Sequence, residues 1–282
     1  MSGKNLVIIG LLFYFFLALN FRYKSNSISV TFLNVGQGDA AIFNLGNLGY
    51  MLIDGGTDLS VDYSILSFMT YPVCKIRFFY ISHFHADHTK NLPSLITRCS
   101  KSFATFNDVS GYSFSKTTFA GLFSKNMFLN LPPDFFKDVQ SGQMFSHTIL
   151  GRPNLQIYIL WPPEDVSKIK NENDRSLIML FNFGTYEILF TGDASGEIID
   201  SVLTPAVLKL IDGSLEVYKV PHHGSITGRS QAILDKLHPL HCVISVGANK
   251  FGHPSPQVIG DLEGIGCRVH ITSEEGNVEF TL

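Results

Sequence analysis

Short runs of apolar or alternating residues, separated by turn residues, divide the chain after residue 27 into two β-rich halves. In the first half this pattern predicts strands over Ile28–Val35, Ala40–Phe43, Tyr50–Ile53 and Ile76–Ile81. In the second half it predicts strands over Gln156–Leu160, Leu177–Phe183, Tyr186–Thr191, Glu216–Val220 and Cys242–Val246, with a closing pair over Arg268–Thr272 and Gly276–Thr281.

Apolar residues at helical spacing lie between these strands. They predict helices over Asp58–Thr70, Leu92–Thr97, Ile198–Leu210, Ser230–Leu237 and Gln257–Ile265. Two sheets, each covered by helices, predict an α/β protein with a four-layer αββα sandwich over residues 28–282. The stretch Lys101–Gln140 follows no clean period, and we interpret it as a packed connection or a substrate-facing insertion.

The N-terminus differs from the rest of the chain. Leu6–Leu19 is apolar throughout and is flanked by Lys4 and Arg22. Fourteen residues are fewer than the ~20 of a membrane span, but they suit the core of a signal peptide. We therefore predict that residues 1–24 are a signal peptide or a short N-terminal membrane anchor, with membrane association through residues 6–19 and an exported or membrane-anchored protein. The alternative is a buried core helix.

Composition restricts the classes of function. The 282 residues are 45% hydrophobic and 16% charged, which argues against a disordered chain. A net charge of −3 excludes a broadly basic surface that grips nucleic acid. An anionic substrate would therefore be held locally, and the candidate cations are Lys90, Arg175, Lys219 and Lys250. The cysteines are far apart, and we expect buried free thiols rather than disulfides at Cys74, Cys99, Cys242 and Cys267.

The densest group of metal-ligand side chains directly follows the predicted strand Ile76–Ile81. The sequence there reads His83-Phe84-His85-Ala86-Asp87-His88. In an extended segment His83 and His85 point to the same side, whereas Asp87 and His88 follow where the chain turns towards a helix. Imidazole and carboxylate ligands suit zinc, manganese or iron. The spacing predicts ligands for two metal ions; the alternative is a chance cluster of surface histidines.

Further ligand-type residues end strands elsewhere in the chain. Asp193 closes the run Glu187–Asp193, and the pair His222-His223 precedes Gly224-Ser225. Asp193 has an alternative role as a helix N-cap, and the histidine pair could be an ordinary loop pair. Asp54 ends another strand and is predicted to orient a metal-bound histidine, with turn capping as the alternative.

These motifs occur in the order found in the metallo-β-lactamase superfamily, which residues 28–282 resemble. Within the superfamily the chain resembles the hydrolase domain of the ComEC DNA-uptake channel family. The motifs that carry this narrower resemblance are Phe32–Ala40, Asn173–Leu177, Pro221–Ser225, Val246-Gly247 and Gly252-His253-Pro254.

The resemblance implies a role for each residue. Two divalent ions, zinc or manganese, would be the cofactors. His83 and His85 would bind the first ion, and Asp87 and His88 the second. Asp193 would bridge the two ions, and His222 or His223 would complete the second site. The catalytic residues would be Asp87, Asp193 and His253, and the substrate-binding residues would be Asn173, Ser176, Gly224 and Ser225.

The chain departs from the family pattern in two respects. The superfamily usually supplies another metal-binding histidine before the bridging aspartate, and the only candidate by order is His147. We therefore expect an open or weak first site, helped by Asn173 or Asp174, and an asymmetric pair of metals. The long transmembrane channel portion of ComEC has no counterpart in this sequence, so we do not expect DNA transport by this chain alone.

The resemblance and the motifs together predict a metal-dependent hydrolase that uses a metal-activated water. We expect a phosphodiesterase or nuclease acting on DNA or nucleotide-like phosphate esters, with single-stranded DNA as a candidate partner. One alternative is hydrolysis of small esters, lactones, thioesters or phosphocholine groups, because the same activated water attacks carbonyls. Another is a non-catalytic binding module on the same fold, which would have lost its ligands. The oligomeric state stays open.

Overall fold

The computed structural model describes residues 28–57, 76–92, 94–95, 112–114, 137–211 and 214–282. Two seven-stranded sheets face each other. The first contains β1 (Ile28–Phe32), β2 (Ala41–Leu45), β3 (Tyr50–Ile53), β4 (Ile76–Ile81), β5 (Tyr112–Phe114), β6 (Lys137–Asp138) and β14 (Val278–Thr281). The second contains β7 (Met144–His147), β8 (Leu155–Trp161), β9 (Ile178–Asn182), β10 (Glu187–Phe190), β11 (Val217–Lys219), β12 (His241–Ile244) and β13 (Arg268–Ile271).

Strand order determines where the loops converge. The order is β14-β1-β2-β3-β4-β5-β6 in the first sheet and β13-β12-β11-β10-β9-β8-β7 in the second. β3 pairs with β4 in parallel, and so do β10 with β11 and β11 with β12. The carboxyl ends of parallel neighbours share one edge of a sheet, so the loops that leave these strands lie together.

An apolar interior fills the space between the sheets. The ring of Phe43 stacks on Phe181 across this interior with centroids 4.9 Å apart, and Phe32 stacks on Phe190 at 5.4 Å. Both rings of each pair are buried. Such pairs contribute about 0.5–1.5 kcal/mol each beyond the area that they bury. The two-sheet packing follows from the alternating apolar faces of these strands.

Short helices cover the outer face of the second sheet. Helix α1 (Ala86–Thr89) lies instead after β4 of the first sheet. The helices of the second half are α2 (Gly196–Val202), α3 (Pro205–Leu208), α4 (Pro256–Gly264) and α5 (Thr272–Glu275), with a π-helix over Ile233–Leu237. Ile199, Leu234 and Leu262 of these helices join one buried cluster with outward-facing residues of β9 to β12. The predicted α/β fold with two helix-covered sheets is therefore confirmed. Short 3₁₀ turns cover Gly46–Leu48, Asn173–Arg175, Pro221–Gly224 and Ile226–Gly228.

Two predictions about elements are corrected. The helix predicted over Ile198–Leu210 is two helices, because Thr204 caps α3 by accepting from the Val207 amide and Pro205 has no N–H to donate. The closing pair does not pair with itself: β13 joins β12, and β14 joins β1 in the other sheet. Helix α5 and Gly276, with φ of +80°, separate these two strands.

The cysteine prediction is also wrong for one pair. Cys242 and Cys267 form a disulfide, and both residues are buried. It joins β12 to the residue that precedes β13. Spacing along the sequence gave no sign of this pairing, because the two strands become neighbours only in the folded sheet.

Several predictions fall outside the described residues. They are the apolar segment Leu6–Leu19, the helix over Asp58–Thr70, Cys74, Cys99 and most of Lys101–Gln140. Within the described ranges, no helix has the length and apolar character needed to cross a membrane.

Candidate metal centre

The first sheet supplies three histidines and a carboxylate directly after β4. His83 and His88 are fully buried, whereas Asp87 is partly exposed and His85 is exposed. The rings of His83 and His85 lie 4.6 Å apart, so these two residues stay together as the extended spacing predicts. Asp87 and His88 lie in α1, where the chain turns away from the sheet.

The second sheet supplies Asp193 after β10. Gly192 precedes it with φ of +51°. A Cβ at Gly192 would lie 2.7 Å from Cβ of Ser176 and 2.9 Å from Cβ of Ser82. Only glycine permits both this left-handed conformation and the close approach of the loops from the two sheets.

The turn after β11 carries His222 and His223. Both have left-handed backbone angles, with φ of 50° and 54°. This conformation costs about 1–3 kcal/mol per residue and persists only where the surroundings enforce it. Here the turn directs both rings to Asp193: Nε2 of His222 lies 3.9 Å from Oδ2 of Asp193, and Nε2 of His223 lies 3.8 Å from the same atom.

Four of these side chains form one cluster. Asp87, His88, Asp193 and His223 each offer one ligand atom, and the four atoms lie within 4.8 Å of one another. Nε2 of His88 is 3.4 Å from Oδ1 of Asp193, and Nε2 of His223 is 3.2 Å from Oδ2 of Asp87. The cluster joins both sheets, which the sequence order alone did not establish.

The buried atoms of this cluster fit a divalent metal ion. Within the described residues, Nε2 of His83, Nε2 of His88 and Oδ1 of Asp193 are buried without a hydrogen-bond partner. Unpaired buried polar atoms are costly and uncommon. A cation among them would satisfy all three, and a donor set of imidazole and carboxylate suits zinc, manganese or iron.

Asp54 holds His88 from behind. Its Oδ2 lies 2.8 Å from Nδ1 of His88, and its carboxylate also accepts from the amide and the hydroxyl of Ser82, both at 2.7 Å. Nδ1 of His88 therefore carries the proton, and Nε2 faces Asp193. This is the arrangement that the predicted orienting role of Asp54 requires.

A second supporting pair, Asp39 and Lys219, was missed by the sequence analysis. Nζ of Lys219 lies 2.8 Å from Oδ2 of Asp39, and both residues are buried. Nδ1 of His223 donates to the carbonyl of Ser245 at 2.9 Å and lies 3.5 Å from Oδ1 of Asp39. Asp39 lies in the Phe32–Ala40 motif, and this motif was the sign in the sequence that Asp39 could support the site.

This pair corrects the prediction that Lys219 assists the substrate, because its ammonium group is buried behind the ligands. Asp39, Asp54 and His88 also form a second group of potential ligand atoms. The lysine ammonium bonded to Asp39 already supplies a cation to that group. Arg175 is paired with Glu172 at 3.2 Å, whereas Lys90 and Lys250 are exposed.

The pKa values of the buried histidines and of Asp193 differ strongly from their ordinary values. Burial lowers the pKa of His83 well below its ordinary value. Burial opposes charge on His88 and Asp193 as well, but their mutual attraction prevails: the pKa of His88 lies well above, and that of Asp193 well below, the ordinary value. Against the effect of burial, hydrogen bonds to Asp39 and Asp87 raise the pKa of His223 to about 10. Positive charge is thus favoured between the carboxylates.

Three predicted substrate-binding residues, Ser176, Gly224 and Ser225, make structural contacts within the protein. Ser176 is fully buried, and its hydroxyl accepts from the amide of Asp193 at 3.0 Å. Ser225 is buried; its amide donates to His222 O and its hydroxyl accepts from Thr227 N. Gly224, with φ of +79°, packs against Pro254, and a Cβ would lie 2.7 Å from Cβ of Pro254. Substrate binding by these three residues stays a prediction.

The remaining predicted residues lie at the outer side of the cluster. Nδ2 of Asn173 is 3.5 Å from Nε2 of His222, and the rings of His222 and His253 are 5.5 Å apart. Both histidines are partly exposed. His147 lies in β7 with its ring 4.5 Å from that of Phe78, and it belongs to neither group of ligand atoms found in the described residues.

Part of the chain is similar in sequence to a known protein. No family model matches the chain. The chain is 30% identical over 135 residues to ComE operon protein 3 of Bacillus subtilis (strain 168). The match covers 47% of this chain but only 16% of that relative.

Solved structures are similar over most of the chain. The metallo-beta-lactamase fold protein YhfI from Bacillus subtilis has a TM-score of 0.55 at 13% identity, covering 90% of this chain and 100% of YhfI. Zn(2+)-bound PqqB from Methylobacterium extorquens has a TM-score of 0.53 at 10% identity, covering 90% of this chain and 100% of PqqB. At these identities the similarity concerns the fold.

Proposed function

Because the chain has the metallo-β-lactamase fold, we propose that its ligand cluster makes it a metal-dependent hydrolase, and specifically a phosphodiesterase or nuclease. One observation carries the proposal. The carboxylates and imidazoles of Asp87, His88, Asp193 and His223 converge from two sheets. Among their atoms, Nε2 of His88 and Oδ1 of Asp193 are buried without a hydrogen-bond partner.

Each residue of the cluster would take a distinct role. Two divalent ions, when bound, would lower the pKa of a water towards neutrality and stabilise charge on the attacked group. Asp193 stands between the histidines: Oδ1 faces His88, and Oδ2 lies 3.8 Å from Nε2 of His83. Asp87, whose side chain is 29% exposed, would accept a proton from the attacking water.

The two metal sites would be unequal. His88, Asp87, Asp193 and His223 supply a compact ligand set supported by Asp54 and Asp39. His83 and exposed His85 lack a third histidine in sequence order. His222, beside Asp193, and Asn173, beside His222, are candidates to complete that weaker site.

We propose phosphate esters as the substrate class, and the outer side of the cluster supports this choice. His222, His253 and Asn173 provide partly exposed hydrogen-bonding groups next to Asp193. Burial lowers the pKa of His253, so its neutral ring could donate to a phosphoryl oxygen. The similarity to ComE operon protein 3, a ComEC-family protein, supports a nucleic-acid ester as substrate, with single-stranded DNA as the first candidate.

Export or membrane anchoring through residues 6–19 is part of the proposal. The Cys242–Cys267 disulfide supports it, because disulfides persist mainly in oxidising compartments.

Metal content and turnover of matched variants test the proposed function. We expect purified protein to retain more than one zinc or manganese ion per chain and to hydrolyse bis-p-nitrophenyl phosphate and single-stranded DNA. Asp193→Asn should lower turnover by about 100-fold or more, because it removes the carboxylate between the histidines. Asp235→Asn, at an exposed aspartate of the π-helix, is the control and should match wild type.

Equal turnover by wild type and Asp193→Asn would contradict the proposed hydrolase. Hydrolysis of lactones, thioesters or phosphocholine esters without phosphodiester cleavage would support a metal-dependent hydrolase but contradict the proposed phosphodiester substrate. Fewer than one ion per chain, with no turnover, would favour a non-catalytic binding module.

A further inference from the structure

One large aromatic side chain is exposed beside the metal centre. Phe251 is 74% exposed to solvent. Exposing a large apolar side chain forgoes the stabilisation that its burial would provide. The preceding residue, Lys250, is exposed as well. A cation and an aromatic ring therefore lie together on one surface turn.

The turn that carries Phe251 is internally braced. Oδ1 of Asn249 accepts from the amides of Phe251 and His253 at 3.0 and 3.1 Å. Nδ2 of Asn249 donates to the carbonyls of Gly247 and His253 at 2.9 and 2.8 Å. All the hydrogen-bonding capacity of this amide is thus used to hold one loop conformation. These hydrogen bonds hold the backbone that carries Phe251 in a defined place.

The base of the turn is fixed to the first sheet's loop. The amide of Gly247 donates to Oε1 of Gln37 at 3.3 Å. A Cβ at Gly247 would meet Cα of Gly36 at 2.6 Å and the amide nitrogen of Gln37 at 2.5 Å, so the two backbones are in close contact. The turn, which follows β12 of the second sheet, is therefore held against the loop that follows β1 of the first sheet.

A chain of rings connects Phe251 to the metal centre. The ring of Phe251 is nearly parallel to that of His253, with centroids 5.9 Å apart and planes inclined by 23°. The ring of His253 is 5.5 Å from that of His222, whose Nε2 is 3.9 Å from Asp193. Two ring contacts, from Phe251 to His253 and from His253 to His222, thus lead from the exposed aromatic ring to the neighbour of Asp193.

We propose that Phe251 is a stacking platform for a nucleobase adjacent to the cleaved phosphate, and that Lys250 contacts the neighbouring phosphate. This inference rests on the proposed phosphodiesterase function and specifies its substrate class as single-stranded nucleic acid. Bases of a duplex are already stacked on each other and present no free face. Bases of a single strand do, and aromatic side chains bind them with little sequence preference.

The experiment compares two strands and three proteins loaded with manganese. The strands are a fluorescein-labelled oligothymidylate and a strand of the same length made of abasic tetrahydrofuran units. The proteins are wild type, Phe251→Ala and Phe251→Trp, with Leu150→Ala as a control at another exposed apolar side chain. Binding is measured by stopped-flow anisotropy before turnover, and KM and kcat are measured separately.

Wild type is expected to bind oligothymidylate about 5- to 100-fold more tightly than the abasic strand. Phe251→Ala should reduce that ratio towards one and raise KM for oligothymidylate by a similar factor, with a smaller change in kcat. Phe251→Trp should restore the ratio, and its indole emission should be quenched by oligothymidylate but not by the abasic strand. Leu150→Ala should keep the wild-type ratio.

The inference is overturned if Phe251→Ala binds oligothymidylate as wild type does, if wild type does not distinguish the two strands, or if neither strand binds. Base-dependent binding without cleavage has a different meaning. It would support the stacking platform while contradicting the proposed phosphodiesterase, so the two failures can be told apart.

Discussion

The side chain of Asp54 determines which nitrogen of His88 faces the metal centre. Asp54 itself has left-handed backbone angles, with φ of 57°, and its carboxyl is buried. Burial raises the pKa of Asp54, while the adjacent His88 favours its ionised form. An unfavourable backbone conformation is therefore maintained together with three hydrogen bonds to Ser82 and His88, which is typical of a residue at a functional site.

The change Asp54→Asn should lower metal affinity by roughly 10- to 100-fold. If the new amide presents its NH₂ group to Nδ1 of His88, that nitrogen must accept, and the proton moves to Nε2, where it blocks the metal. A competition titration of zinc against a chromophoric chelator measures the effect.

Asp200→Asn is the matched control for this titration. Asp200 accepts from the amide of Ala232 and from Ser230, away from the ligands. Its substitution should leave the zinc affinity unchanged. If Asp54→Asn binds zinc as tightly as wild type, the orienting role of Asp54 is wrong.

Residue spacing in the sequence was informative over short distances only. The HxHxDH run could be interpreted because its ligands lie within six residues and their directions follow from strand and turn geometry. The pairing of Asp39 with Lys219 could not be foreseen, since the two residues are 180 positions apart and belong to different sheets. The hydrogen bond from the amide of Asp193 to the hydroxyl of Ser176 could not be foreseen either.

At the scale of elements, the ends of parallel strands place the ligands. Asp54 follows β3, and the histidine cluster follows its parallel neighbour β4. Asp193 follows β10, and His222 and His223 follow its parallel neighbour β11. Each pair of neighbours thus delivers its side chains to the same edge of its sheet. Most strand positions were predictable from apolar runs, but β5, β6 and β7 were not predicted. The partner of β14 was not predictable either, because pairing depends on the closed sandwich.

The Cys242–Cys267 disulfide should stabilise this half of the molecule. It links positions 25 apart in sequence and encloses α4. Replacing both cysteines with serine is expected to lower the free energy of unfolding by about 3 kcal/mol, because the unfolded chain loses the constraint of a closed loop. Guanidinium unfolding of wild type and the double variant measures the difference.

Reduction provides the internal control for the disulfide. Dithiothreitol should destabilise wild type to the level of the double variant and should have no such effect on the double variant. A wild-type protein whose Cys242 and Cys267 both react with a thiol reagent before reduction would contradict the disulfide.

At the scale of the whole molecule, the metal centre joins the two sheets. Asp87 and His88 come from the first sheet's loops, and Asp193 and His223 from those of the second. Hydrogen bonds between these loops include the amide of Leu177 to the carbonyl of Ser82. A bound ion would therefore stabilise the contact between the sheets as well as supply chemistry.

This location predicts a large effect of metal on thermal stability. A ligand that binds only the folded state adds about 2.7 kcal/mol at 100 times its dissociation constant. For a domain of this size we expect the Tm of metal-free protein to rise by roughly 5–10 °C on addition of zinc or manganese. Differential scanning calorimetry of chelator-treated protein, with and without the ion, measures this shift.

Two variants decide whether the shift belongs to this centre. Asp193→Asn should lose most of the metal-induced rise in Tm, because it removes the carboxylate to which His83, His88, His222 and His223 all point. Asp235→Asn makes the same substitution at an exposed position, and this variant should keep the full metal-induced rise in Tm. An equal rise in both variants would mean that the ion binds elsewhere, and the sheets would then be held together by their apolar interior without help from the metal centre.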